Sequence, residues 1–505
     1  MAVDRRGFAK PLGGVSRPAS ASATKIVAAA IVATAIGLVV ALKPASAQRA
    51  LAPVTDAMLR NPAPADWLMW RRTQNGWGYS PLDQIDRSNV ARLEQVWSRP
   101  LGPGLQEGTP LVHDGILFMP NPSDYIQAMN AATGELLWEY KRKWPDDLTK
   151  VFPVPAINRN LAIYGTAIID TSADDYVFAL DGMSGHLLWE TQIVDFRKNA
   201  AQETSGPIVA NGKIISTRGC EPKGGPEACV MTAHDAKTGK ELWRSYTIPR
   251  PGEPGNETWG DIPYENRWHV GAWMVPSYDP ELNLVYVGTS VTSPAPKFML
   301  AGNDKQYNTM YYPLQNLCMG ATSTDDKPSL KSLYALAVKG RIAEGTDKVG
   351  TVQAISAETG AITWKYEQRA GMLSLVTTGG GLIFGGDANG RFRAFDQKDG
   401  TVLWETNLGA PVTGYPVTFA VGGRQFVAAS TGPSLVTSGL NALTPELQPP
   451  NGSSLFVFAL PVTRVLSHDW SPGALRLALR KQLPEAVCHP TPGWFCIDRP
   501  VREPR

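Results

Sequence analysis

Cysteine is scarce in this chain. Five cysteines in 505 residues are too few for a disulfide scaffold, and their odd number leaves at least one unpaired within the chain. The Cys488-His489 step lacks a preceding Cys-x-x-Cys, so no covalent haem is expected. A surplus of one charge is missing as well. Lys and Arg total 48 against 46 Asp and Glu, a formal net of +2, which argues against a nucleic-acid surface or an acidic partner. No paired-carboxylate signature of glycan cleavage is present. What the chain has in quantity is Gly (48), Pro (41) and Trp (15), a composition suited to many short strands joined by turns.

Residues 1–47 read as an export signal. Arg5, Arg6, Lys10 and Lys25 form a basic start, Ile26–Leu42 is uncharged and apolar, and Ala45-Ser46-Ala47 is a small-x-small cleavage site. Arg-Arg-Gly-Phe-Ala-Lys at 5–10 also resembles a twin-arginine signal. The expected location is the periplasm, a compartment that permits disulfides. The alternative is an uncleaved anchor, the one route to membrane association. Seventeen apolar residues lie at the lower limit for spanning a bilayer.

One phrase recurs. It reads Ala-Met-Asn-Ala-Ala-Thr-Gly-Glu-Leu-Leu-Trp at 128–138 and returns, with the same Gly and Trp offsets, at 179–189, 233–243, 354–364 and 394–404. Repeats at this spacing mean stacked supersecondary units. The polar side chain of Ala-x-Asp can accept from the amides of the turn that follows. Gly supplies the positive φ that closes the hairpin. The indole at a fixed place can cover the neighbouring unit and keep an N–H for a hydrogen bond. The fold expected is all-β: a β-propeller of four-stranded antiparallel blades, each a pair of hairpins, spanning residues 48–460. Aromatic strands between Trp67 and Leu101 are expected to close the ring against the C-terminal end. The intervals between the phrase tryptophans are 51, 54, 121 and 40 residues. The third is too long for one blade and holds no copy, and Met299–Thr351 reads as the least strand-like part. Residues 461–505 form a Pro- and Arg-rich tail with a short helix expected near Ala474–Gln482.

These repeats, with Gln106-Glu-Gly-Thr-Pro-Leu-Val112, Gly288-Thr289 and Gly414-Tyr-Pro-Val-Thr418, resemble the quinoprotein alcohol dehydrogenases. Those proteins are eight-bladed propellers that hold pyrroloquinoline quinone (PQQ) and a calcium ion. The resemblance implies fewer complete blades here and assigns site residues by position. Glu107, Arg159 and Thr204 match cofactor contacts, and Trp273 matches the indole on which the ring stacks. A guanidinium suits carboxylate and quinone oxygens, and Glu221 matches a calcium-binding carboxylate. Taken alone, Arg159 also reads as a surface ion pair and Trp273 as core. Cys220 and Cys229 flank a short Gly/Pro loop and are a disulfide candidate, with two free thiols as the alternative. Cys488 and Cys496 are a second candidate pair.

The chain also departs from the family. Its vicinal cysteine pair would fall near Pro153-Val154. Its second calcium ligand is replaced within Gly288–Ser293, where Ser290, Thr292 or Ser293 offers at best a weaker oxygen. A cofactor-face aromatic corresponds roughly to Gly371. Leu300-Ala-Gly-Asn-Asp-Lys305 runs almost directly into Asn308–Met319, which implies an internal deletion near Lys305–Tyr307 that removes the family's catalytic Asp. Asp304, Asp325 and Asp326 remain in that region, and no general base is assigned. The resemblance implies an alcohol as small-molecule substrate and a cytochrome c or membrane quinone as electron acceptor. The rival expectation is a non-catalytic propeller, either a degenerate quinoprotein or a scaffold of the outer-membrane assembly type.

Overall fold

The computed structural model describes residues 50–151, 157–220, 224–290, 312–323, 336–356 and 358–462. Among these, five blades of four antiparallel strands are complete, and the one spanning 372–407 is extended to a five-stranded sheet by Tyr79–Ser80, which pairs parallel with its first strand. The first runs through Leu111–His113, Ile116–Asn121, Tyr125–Asn130 and Leu136–Lys141. The second comprises Ala162–Tyr164, Ala167–Thr171, Tyr176–Asp181 and Leu187–Gln192. The third comprises Ile208–Ala210, Lys213–Thr217, Val230–Asp235 and Glu241–Tyr246. The fourth complete blade is Met372–Thr378, Leu382–Asp387, Arg391–Asp396 and Val402–Asn407. The fifth takes three strands from Val417–Val421, Arg424–Thr431 and Ser454–Ala459, and its outer strand is Glu94–Pro100 from the N-terminal side. The expected ring closure is therefore present: Trp97 pairs with Val457.

The recurring phrase works as its chemistry predicts. Asp181 Oδ1 accepts from the amides of Met183 and Ser184 at 3.1 and 2.8 Å, and Asp235 Oδ1 does the same for Lys237 and Thr238. Each phrase Trp lies opposite the phrase Ala of its own blade, beside a register shift: Trp138 with Ala128, Trp189 with Ala179, Trp243 with Ala233, Trp364 with Ala354 and Trp404 with Ala394. The small residue leaves room for the indole, and the bulge turns it toward the next blade.

There the indole meets glycine. A Cβ placed on Gly134, Gly185, Gly239 or Gly400 would lie 2.3–2.6 Å from an indole carbon of Trp97, Trp138, Trp189 or Trp364, and all four glycines have φ between 72° and 75° or close to it at 71°. Both the contact and the backbone require Gly at these four places. Three of the indoles also donate to a carbonyl across the joint: Trp97 to Ala131, Trp138 to Gly182 and Trp364 to Gln397, at 3.2, 2.9 and 3.0 Å.

The sequence of joints breaks in the long interval. Trp243 is 40% exposed where Trp138 is 8% exposed, and among the described residues no atom lies within 4 Å of a Cβ placed on Gly360. This stretch corrects one expectation, because it is not poor in strands. Ser277–Asp279 pairs with Leu284–Tyr286, Tyr312–Gln315 joins a three-stranded sheet with Gly350–Ile355 and Ile362–Gln368, and Leu317–Ser323 pairs with Leu336–Ile342. The Gly350–Ile355 and Ile362–Gln368 strands carry the phrase copy at 354–364, and Asp279-Pro280 marks the turn of the Ser277–Tyr286 hairpin, whereas the strands between Tyr312 and Ile342 lack the phrase. The signal, the tail helix, Cys488 and Cys496 lie outside the described residues.

Candidate functional site

Glu107, Arg159, Thr204 and Trp273 share one position in the repeat. Each lies three or four residues before the first strand of its unit, which begins at Leu111, Ala162, Ile208 or Ser277. Equivalent loops of a radial fold lie at one end, and here they bring the four residues together.

Arg159 is the hub. Its Nη2 lies 2.6 Å from Glu107 Oε2, with side chains 5% and 16% exposed. Its Nη1 donates to the carbonyls of Thr204 at 2.9 Å and Trp273 at 3.2 Å. The guanidinium carbon sits 5.2 Å from the Trp273 ring centroid, within the range of a cation–π contact. Thr204 Oγ1 donates to the Trp273 carbonyl at 3.3 Å. The Arg159 carbonyl in turn accepts from the Thr109 amide at 3.0 Å. The guanidinium is thus held in a fixed orientation by three loops, as a planar fork allows and an ammonium would not. Trp273 remains 47% exposed. An indole anchored through its backbone and open over nearly half its surface is unlike a core residue.

Reading by motif missed one wall of the site. Glu107 Oε1 accepts from the Leu435 amide at 3.0 Å, and the Gln106 amide donates to the Pro433 carbonyl at 2.8 Å. The segment that follows forms the helix Thr437–Leu443. Its Leu440 lies against Gly371, where a Cβ would come within 2.7 Å of Leu440 Cδ1 and 2.8 Å of the Gln315 Oε1. Leu440 of this helix thus occupies the space in front of Gly371. Leu435 and Val436 are 53% and 57% exposed beside Glu107.

Cys220 and Cys229 form a disulfide, while Cys318 is a free thiol. Glu221 lies outside the described residues, as do Asp304, Asp325, Asp326, Thr292 and Ser293. Ser290 is described, and its amide donates to the Gly271 carbonyl at 2.9 Å. Among the described residues no group of three His, Cys, Asp or Glu side chains could hold a metal ion. Behind Arg159, Asn158 Nδ2 donates to Asp170 Oδ2 at 2.7 Å. Burial raises the Asp170 carboxyl well above the usual carboxylate range, and the charge of Asp124 adds to the rise.

Taken together, the blades and the site define a Trp-docked β-propeller with an aromatic–guanidinium platform at one end. Residues 67–312 match the family described as glucose/ethanol/alcohol dehydrogenase, β-propeller domain, and residues 226–444 match that of the outer membrane protein assembly factor BamB. The chain is 35% identical over 265 residues to the quinohemoprotein alcohol dehydrogenase ADH IIB of Pseudomonas putida, covering 48% of this chain and 37% of that protein. It is 32% identical over 252 residues to the dehydrogenase subunit of a quinone-type alcohol dehydrogenase of Komagataeibacter europaeus, covering 46% and 34%. A solved quinohemoprotein alcohol dehydrogenase of Pseudomonas putida superposes with a TM-score of 0.67 at 21% identity, covering 82% of this chain and 83% of that one. Over residues 67–312 the chain is similar to the quinoprotein alcohol dehydrogenase β-propellers. Its matches span about a third of the length of those two curated relatives.

Proposed function

We propose that this chain binds PQQ at the Trp273–Arg159 platform and oxidises an alcohol. The supporting observation is the convergence of Glu107, Arg159, Thr204 and Trp273 from four separate loops onto one exposed indole. The residues present fit the flat, anionic part of the cofactor. The half-open indole offers a stacking face, and Arg159 is a cation held in place for a carboxylate or quinone oxygen. Thr204 and the Leu435–Val436 segment would bound the ring. When bound, the quinone supplies the two-electron acceptor for the alcohol carbon.

A calcium ion belongs to this proposal, with Glu221 as the carboxylate offered to it. So do the periplasmic location, a signal peptide at 1–47 and the propeller boundaries 48–460. A cytochrome c or membrane quinone would receive the electrons. No helix among the described residues is long and apolar enough to cross a membrane. No general base is assigned.

The second reading is a non-catalytic propeller. Its supports are the match of residues 226–444 to the assembly-factor family and the broken series of joints between Trp243 and Gly360. One experiment separates the two: purify the exported chain, add PQQ with calcium, and follow the bound quinone spectrum and dye reduction with primary and secondary alcohols. Uptake with turnover supports the first reading. Uptake without turnover marks a cofactor binder without the chemistry, and no uptake overturns the cofactor claim.

A further inference from the structure

Beside the Thr204 turn lies a buried ion cluster that the platform itself does not use. Arg218 is fully buried, its Nε donates to Asp175 Oδ1 at 3.1 Å, and its Nη1 pairs with Glu203 Oε2. Nη1 also donates to the Thr217 carbonyl at 3.0 Å, while Nη2 has no hydrogen-bond partner among the described residues. Three separate parts of the fold meet here. Asp175 comes from a hairpin turn of the second blade, Glu203 from the loop leading into the third, and Arg218 from the end of that blade's second strand. Burying such charges is costly unless their geometry is good, so the cluster calls for a role.

Glu203 supplies it. While Oε2 faces Arg218, Oε1 accepts from the Ser205 amide at 2.6 Å, the Gly206 amide at 2.7 Å and Ser205 Oγ at 2.8 Å. One carboxylate therefore shapes the turn that carries Thr204, the residue whose carbonyl receives Arg159 and whose hydroxyl reaches Trp273. A second route runs in parallel: Ser205 Oγ lies 3.1 Å from Thr217 Oγ1, which donates to the Ala272 carbonyl at 3.0 Å, one residue before Trp273. The turn has no slack, because a Cβ on Gly206 would fall 2.1 Å from the Asn160 carbonyl oxygen.

We propose that Arg218, acting through Glu203, is a positioning residue that fixes the Thr204 turn and with it the Arg159–Trp273 platform. Its consequence for quinone binding rests on the proposed function; its effect on the turn does not. The test is amide hydrogen exchange on the full exported chain without quinone, for Glu203→Ala, Glu203→Gln and Arg218→Lys. Glu203→Ala is expected to speed exchange at the Ser205 and Gly206 amides by about tenfold or more, the loss of a buried charge-assisted hydrogen bond. Strand amides of the second blade should stay as protected as in the wild type.

Glu203→Gln keeps an acceptor for the turn and is expected to restore most of the protection. It carries the test if the alanine variant fails to fold. Arg218→Lys is expected to loosen the same two amides, because one ammonium cannot reproduce the fork that spans Asp175 and Glu203. PQQ affinity should fall in the same order as local exchange rises. Variants that unfold more easily while Ser205 and Gly206 exchange as in the wild type, or in which exchange rises evenly across the blade, would overturn the proposal. A wild-type chain that takes up no quinone sinks the cofactor reading and leaves the exchange result to decide this one.

Discussion

Two joints built from the same phrase have different fates. At the first, Trp138 covers Gly185 of the next blade and donates to Gly182, and it is 8% exposed. At the third, Trp243 has the same strand position, the same Ala partner and the same register shift, yet is 40% exposed. Local sequence is equivalent, so the difference comes from the neighbour. A phrase Trp specifies a hairpin by itself but contributes its buried area only when the next blade offers a packing partner, a phrase Gly for Trp138 or Phe458 for Trp404. The propeller resembles other repeat folds in this respect, with stability divided between units and the interfaces between them.

The largest test of that contrast removes the indoles. Trp138→Ala is expected to cost about 3–5 kcal/mol, the range for losing a buried large aromatic. Trp243→Ala should cost no more than about 1.5 kcal/mol, because much of its ring already faces solvent. Chemical denaturation of both variants measures the difference, and equal losses would show that the third joint is closed in solution. Next in size is the other half of the joint. Gly185→Ala would place a methyl 2.6 Å from the Trp138 ring at φ 71°, an expected loss of about 2–4 kcal/mol from overpacking and backbone strain. Gly360 has a similar φ of 69° and open space, so Gly360→Ala should show the backbone part alone, about 1 kcal/mol.

The site repeats the comparison at smaller scale, since Trp273 is an indole left open beside a cation rather than closed over a glycine. Trp273→Ala is expected to lower PQQ affinity by about 10–100-fold, with a stability loss under about 1.5 kcal/mol. Arg159→Lys keeps the charge and loses the fork, and should weaken binding by about tenfold. Titration of quinone against the purified variants checks both, and unchanged affinity in either would remove that residue from the cofactor site.

Much of this was legible in the sequence because the information is local. Asp181 caps its own turn and Trp138 sits at a fixed offset from Gly134, so the phrase alone announces the hairpins. The alignment of Glu107, Arg159, Thr204 and Trp273 was reachable through family position, since each stands just before its unit's first strand. Other features depend on distant pairing. Leu435 reaches Glu107 across 328 residues, and nothing in Pro433–Val436 signals that contact. Arg218 sits in Thr-Arg-Gly-Cys, a stretch with no motif of its own, and only topology brings Asp175 and Glu203 around it. The strands between Tyr312 and Ile342 carry no turn phrase, so periodicity had little to register.

The smallest predicted effect concerns a seam held by charge rather than by an indole. His113, in the first blade, faces Asp66 Oδ2 through Nδ1 at 3.2 Å and the Ala52 carbonyl through Nε2 at 2.8 Å. The Ala52 contact is a hydrogen bond, whereas the Asp66 contact is an ion-pair approach that favours the imidazolium through charge. Burial alone would lower the pKa of this imidazole, but Asp66 and the Ala52 carbonyl reverse that, and the net shift is upward. A raised folded-state pKa means that the native chain holds the proton more tightly than the unfolded one. The stabilisation is therefore complete below the ordinary histidine value of about 6.5 and is lost as pH rises through the higher folded-state value. His113→Gln keeps polar contacts but cannot carry the charge, and it should abolish that pH-dependent part, on the order of 1 kcal/mol. The check is denaturation of both proteins from pH 5.5 to 8.5. If the wild-type minus variant difference shrinks toward high pH, the first-blade seam is electrostatic, and a constant difference would mean that His113 acts there by packing alone.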